Sequence, residues 1–182
     1  DFLGVILLKW LKEDKIKIEN KTVNGIFKKE DTSIIFSSQN LESEIDLENK
    51  LYNYMYEASK DGILESKEFE KWCNKHYSKI LSWFDKLIGE EEDKLISDGF
   101  ITVKEEKILK LFKCKRHYTT DELHRQAIEL AGLKRFLLDY TLIAERTAIE
   151  VNLFENYLIY AQMMGIAKKV AKQFKELYPD IV

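Results

Sequence analysis

The chain's only two cysteines each stand three residues before a histidine, in WCNKHY at 72–77 and KCKRHYTT at 113–120, with a basic residue ahead of each histidine. Cys73, His76, Cys114 and His117 therefore have the ligand count of a closed structural zinc site. Their spacing argues against one. Cys73 and His76 at i and i+3 share a face of the helix expected around Trp72. Cys114 and His117 fall in an expected strand, where i and i+3 point to opposite faces. We read the four as core or surface residues, with no metal and no cofactor expected.

Other chemistry has less support. The sequence lacks a glycine-rich phosphate loop, a G-x-S-x-G elbow and an H-E-x-x-H pair, and its 7 glycines are scattered among turns. Cys73 or Cys114 could be matched with His124 as thiol and base only without spacing support. Glu90, Glu91, Glu92 and Asp93 read as a solvated helix face. No catalytic residue is assigned, and the chain is expected not to be an enzyme.

Nucleic-acid binding is the alternative. With 29 basic against 32 acidic residues in 182, no overall field would hold a polyanion, so any such contact must be a local patch. Arg116, Arg125, Arg135 and Arg146 are the only arginines, few tools for bidentate reading of phosphate or guanine. The candidate contact patch comprises Lys113, Lys115, Arg116, Lys134 and Arg135.

Hydrophobic residues make up 45% of the chain, enough for a buried core. Two cysteines without a secretory leader fit a reducing compartment. The apolar start, DFLGVILLKWL, is about half the length of a bilayer crossing and is interrupted by Lys9, so it reads as a buried helix. Asp1 is not an initiator methionine and is expected to lie inside a longer protein.

Phe2, Leu3, Ile6, Leu7, Trp10 and Leu11 repeat at helical spacing. KIKIENKTV then alternates and meets IFKK through Asn24-Gly25, a hairpin signal, with SIIF as a further strand segment. Leu47, Leu51, Tyr54, Met55 and Ala58 mark an amphipathic helix closed at Asp61-Gly62, and Ser66 starts the next. Ile80, Phe84, Leu87, Ile88, Leu95 and Ile96 carry a long helix to Asp98-Gly99. FITV follows as a strand, then a charged helix or strand from Lys104, then KLFKCKRHYTT. Thr119 or Thr120 with Glu122 suits a helix start. The later stripes are Leu133, Phe136, Leu137, Tyr140 and Ile143; Phe154, Tyr157, Leu158 and Ala161; then Ile166 to Leu177, with Pro179 as the stop. LLKWLKEDKIKI and DKLISDGFITV echo each other as helix, corner and strand.

GLKRFLLDY at 132–140 and FENYLIYAQMMGIAKKVAKQF at 154–174 resemble the C-terminal signature of a large bacterial family of predicted membrane proteins of unknown function. Gly132, Lys134, Arg135, Phe136, Leu137, Phe154, Glu155, Tyr157, Leu158, Tyr160, Ala161, Gly165, Val170 and Phe174 fill its places. DFLGVILLKWLKEDKIKIE and DKLISDGFI look like the family's first helix running into a strand and the end of its second. The resemblance implies an extracytoplasmic β-rich part, membrane spans and a cytosolic winged-helix-like region, and no known activity. This chain departs from the pattern at the first corner, where Lys12 to Lys15 replace the usual glycine, and at Gln162-Met163-Met164. Where many relatives carry a hydrophobic hairpin, it has FITVKEEKILKLFKCKRHYTT. By that resemblance KCKRHYTT is a basic, membrane-proximal or wing segment, as the positive-inside rule favours.

The expected fold is mainly α with small antiparallel β hairpins (α+β), built as tandem winged-helix-like modules with a C-terminal helical cap. Residues 1–40 would be a truncated first module, 41–120 the second and 121–182 the cap, set on the second module. The expected function is that of a cytosolic, non-enzymatic interaction or structural region of a membrane protein, with an unknown protein partner near the membrane and no small-molecule substrate. A DNA-binding winged-helix regulator is the alternative.

Overall fold

The computed structural model describes residues 2–23, 29–108, 112–139 and 154–177. The Asn24-Gly25 turn, the stripe beyond Asp139 and the Pro179 stop lie outside them. Among the described residues the chain is mainly α with two small antiparallel sheets, as its patterning predicts. It divides into two compact units, one formed by 1–83 with 137–182 and the other by Phe84–Phe136.

The first unit opens with α1 (Phe2–Lys12), followed by β1 (Ile16–Val23) and β2 (Lys29–Phe36). The strands pair in antiparallel register from Ile16↔Phe36 to Val23↔Lys29. Next come α2 (Asp46–Ser59), a three-residue strand β3 (Ile63–Glu65) and α3 (Ser66–Lys75). β3 adds to the free edge of β2 through Ile35↔Ile63, Ile34↔Leu64 and Ser33↔Glu65. Patterning gives no sign of β3, because three residues are too few to show a period. At the start of α3, Glu65 accepts from the N3 backbone while the Glu68 side chain reaches back to the Glu65 N–H, a capping box with Glu in the place usually held by Ser or Thr.

The core gathers where α1 and α2 cross this sheet, on Trp10, Ile16, Phe36, Leu51, Tyr52, Met55 and Leu64, all buried. Tyr52 stands edge-on to Trp10 at 5.1 Å and to Phe36 at 5.0 Å, the geometry ring quadrupoles favour. The stripe read on α2 is shifted: Tyr52 is buried and Tyr54 only half-buried. Glu48 also lies inside, because Lys9 and Trp10 on α1 supply it with donors.

The long helix α4 (Tyr77–Ser97) leaves this unit at Trp83, whose buried indole donates to Leu47 O at 2.8 Å. In the second unit it runs into β4 (Ile101–Ile108) and β5 (Phe112–Thr119), then α5 (Asp121–Asp139). The segment from Lys104 is strand, fixed by its ladder with β5 from Ile101↔Thr119 to Ile108↔Phe112. Thr120 Oγ1 accepts from Leu123 N–H at 3.2 Å, the helix start its type predicts.

The last helices are α6 (Phe154–Met163) and α7 (Ala167–Leu177). They pack on each other, and α6 packs against α1. The sequence reading set this cap on the second module instead. The physical reason is α1 itself, which is apolar nearly all round and so has a second face to cover. Gly4 sits where a Cβ would meet Gln162 Nε2 of α6 at 2.5 Å.

One corner recurs three times. After α1, Lys15 N–H bonds Trp10 O at 2.8 Å and Asp14 N–H bonds Leu11 O at 3.2 Å. After α4, Phe100 bonds Leu95 and Gly99 bonds Ile96; after α6, Ile166 bonds Ala161 and Gly165 bonds Gln162, with the same offsets. These are Schellman motifs, whose C′ residue must be left-handed. Gly99 (φ 78°) and Gly165 (φ 71°) meet that freely, and Asp14 (φ 54°) meets it at a cost. Asp14→Gly is therefore expected to raise stability by about 0.5–1 kcal/mol, read as a higher urea midpoint at unchanged slope. A fall would show that the aspartate side chain does more than occupy the corner.

Candidate functional site

Three of the five charged residues expected to matter, Lys113, Lys115 and Arg116, lie on the β4–β5 hairpin. Its register assigns each side chain to a face. Val103, Glu105, Lys107, Lys113, Lys115 and His117 share one face; Lys104, Glu106, Cys114, Arg116, Tyr118 and Phe112 share the other. Cys114 and His117 thus point to opposite sides, as their spacing predicts.

Two pairs of like charge stand directly opposite, Lys107↔Lys113 and Lys104↔Arg116, an arrangement that costs stability. The carboxylates between them offset it diagonally. Glu105 lies 3.6 Å from Lys113 and Glu106 lies 3.0 Å from Arg116. Glu106 also accepts from the Tyr118 hydroxyl, and the Lys104 ammonium stands over the Tyr118 ring at 5.3 Å. The hydrogen bond to Glu106 raises the Tyr118 phenol above its usual range, and Glu106 raises the Arg116 guanidinium likewise. Arg116 and Tyr118 so share one carboxylate acceptor.

His117 Nε2 lies 2.7 Å from Glu92 Oε1 on α4. Glu92 therefore departs from the solvated run read at Glu90 to Asp93, being half-buried against the hairpin. His76 ends α3 with its ring 4.4 Å from that of Trp72 and Nδ1 3.1 Å from Trp72 O. Cys73 is half-buried, and burial pushes its thiol up. The two Cys-x-x-His pairs belong to different units. Among the described residues, no cluster of three or more His, Cys, Asp or Glu is placed to hold a metal ion.

The contact patch maps onto two elements. Lys113, Lys115 and Arg116 are exposed on β5; Lys134 and Arg135 are exposed on α5, about 20 Å along that helix from its start at 1.5 Å per residue. Sequence reasoning missed Lys104 and Lys107, which bring the hairpin to five cations against two carboxylates. Only the strand register puts them beside β5. On α5, Arg125 is held by Glu122 and Glu129; its hydrogen bond to Glu122 raises the guanidinium and lowers that carboxyl.

The second unit has a further property. None of its described residues is buried; the nearest buried side chains, Trp83 and Leu137, belong to the other unit. Ile88 is 64% exposed, Phe112 69%, Ile128 60% and Leu130 51%. Ile88 belongs to the apolar face that patterning places along α4.

The fold and this surface define a mainly helical chain whose second hairpin is basic and, along β5, largely exposed. Residues 112–174 match the model of a family described as predicted membrane protein (DUF2207), C-terminal domain, a family of unknown function. The match begins with β5 and runs through α5 and α6 into α7, so it contains both segments that carry the resemblance, which is borne out. No curated protein matches the sequence. Among the described residues no helix is long and apolar enough to cross a membrane.

Proposed function

We propose that this chain is a non-enzymatic interaction region of a membrane protein, held at the cytosolic side of the membrane, and that it acts by binding another protein. The observation that carries this reading is the second unit. A segment of this size that buries none of its own described side chains, and leaves Ile88, Phe112 and Ile128 in water, lacks the apolar burial that makes small domains stable. A partner supplies what is missing. The α–β–β–α runs serve in this reading as winged-helix-like frames. Nucleic acid is the less favoured occupant, because Arg116 and Arg125, the arginines of the hairpin and of the start of α5, already have carboxylate partners.

The test uses the native full-length protein in its own membrane. It is expected to stay in the pellet after an alkaline wash, to be cut within this region only by protease on the cytosolic side, and to form an adduct with another polypeptide from a photo-crosslinker at Ile128. Release by the alkaline wash, cleavage from the outside, or a crosslinker that reacts only with solvent would each overturn the reading.

A further inference from the structure

The two α–β–β–α runs, α1-β1-β2-α2 and α4-β4-β5-α5, superpose by their hydrogen bonds. Both begin at a Schellman corner. Both open their hairpin with the same link, Ser37 N–H to Lys15 O at 3.0 Å in the first and Thr120 N–H to Phe100 O at 3.1 Å in the second. Counting from those links, Phe36 corresponds to Thr119, Ile34 to His117 and Ser33 to Arg116.

The runs differ at the outer edge. In the first, Phe36 N–H turns outward to Gly62 O at 2.9 Å, and β3 continues down that edge to Ser33↔Glu65. In the second, no strand among the described residues pairs with the corresponding edge of β5, and every residue of β5 except Cys114 is exposed. In an antiparallel ladder alternate residues bond inward and outward. Thr120 bonds inward, so Tyr118, Arg116 and Cys114 do too, and Thr119, His117, Lys115 and Lys113 turn their N–H and C=O groups away from β4.

We propose that the outer edge of β5, from Lys113 to Thr119, takes an extended acidic segment of a partner protein as an antiparallel third strand, in the place that β3 fills in the first run. The proposal rests on the reading of this chain as an interaction region and names the chemistry of its partner. Residues directly opposite on neighbouring strands share a face. The incoming strand therefore sets alternate side chains against Lys113, Lys115 and His117. Lys115 makes no ion pair among the described residues, and Lys113 has only Glu105 at 3.6 Å, so carboxylates fit opposite both. The position opposite His117 is left uncharged by the nearby Glu92. The intervening side chains fall opposite Cys114, Arg116 and Tyr118, where Arg116 is already paired with Glu106 and the exposed rings of Phe112 (69%) and Tyr118 (41%) offer apolar contact. The partner's pattern is thus acidic and apolar in alternation over about six residues, the recurring mode of strand addition to a sheet edge. Lysines alone would serve to keep an edge from pairing at random. A two-stranded hairpin is marginal by itself, and the filled edge of the first run shows what completes it.

The experiment measures amide exchange by NMR on the whole chain with a millimolar excess of a synthetic peptide of alternating glutamate and valine. A control peptide has lysine for glutamate. Exchange at Lys113, Lys115, His117 and Thr119 is expected to slow by about tenfold or more, with little change at Arg116 and Tyr118, and only for the acidic peptide. Lys115→Pro removes one outward N–H without touching the ladder to β4; it should abolish the protection while the Arg116 and Tyr118 amides keep the rates of the peptide-free wild type, which shows the hairpin intact. The docking edge is overturned by absence of the alternating pattern, by equal action of the lysine peptide, or by protection that survives Lys115→Pro. A retained Ile128 adduct in the membrane together with silent β5 amides would remove the docking edge and leave the interaction reading standing; loss of the adduct would remove that reading itself.

Discussion

Trp10→Ala is expected to lower the unfolding free energy by about 4 kcal/mol, a large share of a typical domain's total. Trp10 is fully buried, and two separate side-chain contacts end on it. Its ring meets Tyr52 edge-on. Tyr52 in turn meets Phe36, and Phe36 meets Tyr56 at 5.5 Å, so the indole terminates a run of four rings. Its Nε1 donates to Glu48 Oε1 at 2.7 Å. Alanine leaves a cavity and removes a donor from a buried carboxylate, and the costs add. Trp10→Phe keeps most of the ring contact and loses only the donor, so about 1–2 kcal/mol is expected. Urea unfolding followed by far-ultraviolet circular dichroism measures both. Equal losses for the two variants would mean that the hydrogen bond, and not the packing, dominates; a loss under about 1 kcal/mol for alanine would remove Trp10 from the core.

Glu48→Ala is expected to cost about 3 kcal/mol. The carboxylate is almost wholly enclosed and accepts from Lys9 at 3.0 and 2.9 Å, Trp10 at 2.7 Å and Ser43 at 2.9 Å. Lys9 remains 40% exposed and regains water once the partner is gone, which holds the cost toward the lower end for a broken buried pair. Acid unfolding carries the sharper signature. Burial alone would raise the Glu48 carboxyl, but the hydrogen bonds from Lys9, Ser43 and Trp10 outweigh it and hold the group below its usual 4.5. The folded state thus releases this proton more readily than the unfolded chain. Its contribution is full above the unfolded value and is lost as pH falls through the lowered folded one. Wild type and Glu48→Gln should accordingly differ most near pH 7 and converge progressively as the pH falls below the usual 4.5. A gap that stays constant from pH 7 to pH 3 would show that the carboxylate's charge contributes nothing.

Where residues follow a period over several turns, the fold was legible. The helices α1, α2 and α4 and the corner at Asp98-Gly99 appear as patterning places them, because a helix face and a Gly-bearing end are local properties. The echo between LLKWLKEDKIKI and DKLISDGFITV proved deeper than composition, since both corners carry the same hydrogen bonds. Local reading ran out where a partner from elsewhere decided the outcome. Glu48 is polar on an apolar face until Lys9 and Trp10 arrive from α1. The KEEK run from Lys104 fits helix or strand equally, and only the ladder with β5 settles it. Ile88 has a core residue's type and spacing, yet no element of the chain covers it among the described residues. Of the candidate surface, the cations of β5 were readable from type alone; those of β4, and the open edge itself, needed the register.

That no described side chain between Phe84 and Phe136 is buried also bears on turnover. With none of its described side chains buried, the segment loses little by opening, so its local unfolding lies toward the low end of the free-energy scale. Proteases sample such openings continually, and cleavage follows the population of the open form. On the interaction reading proposed above, copies that lack the partner would be the first cut, which would tie the abundance of the chain to that of its partner.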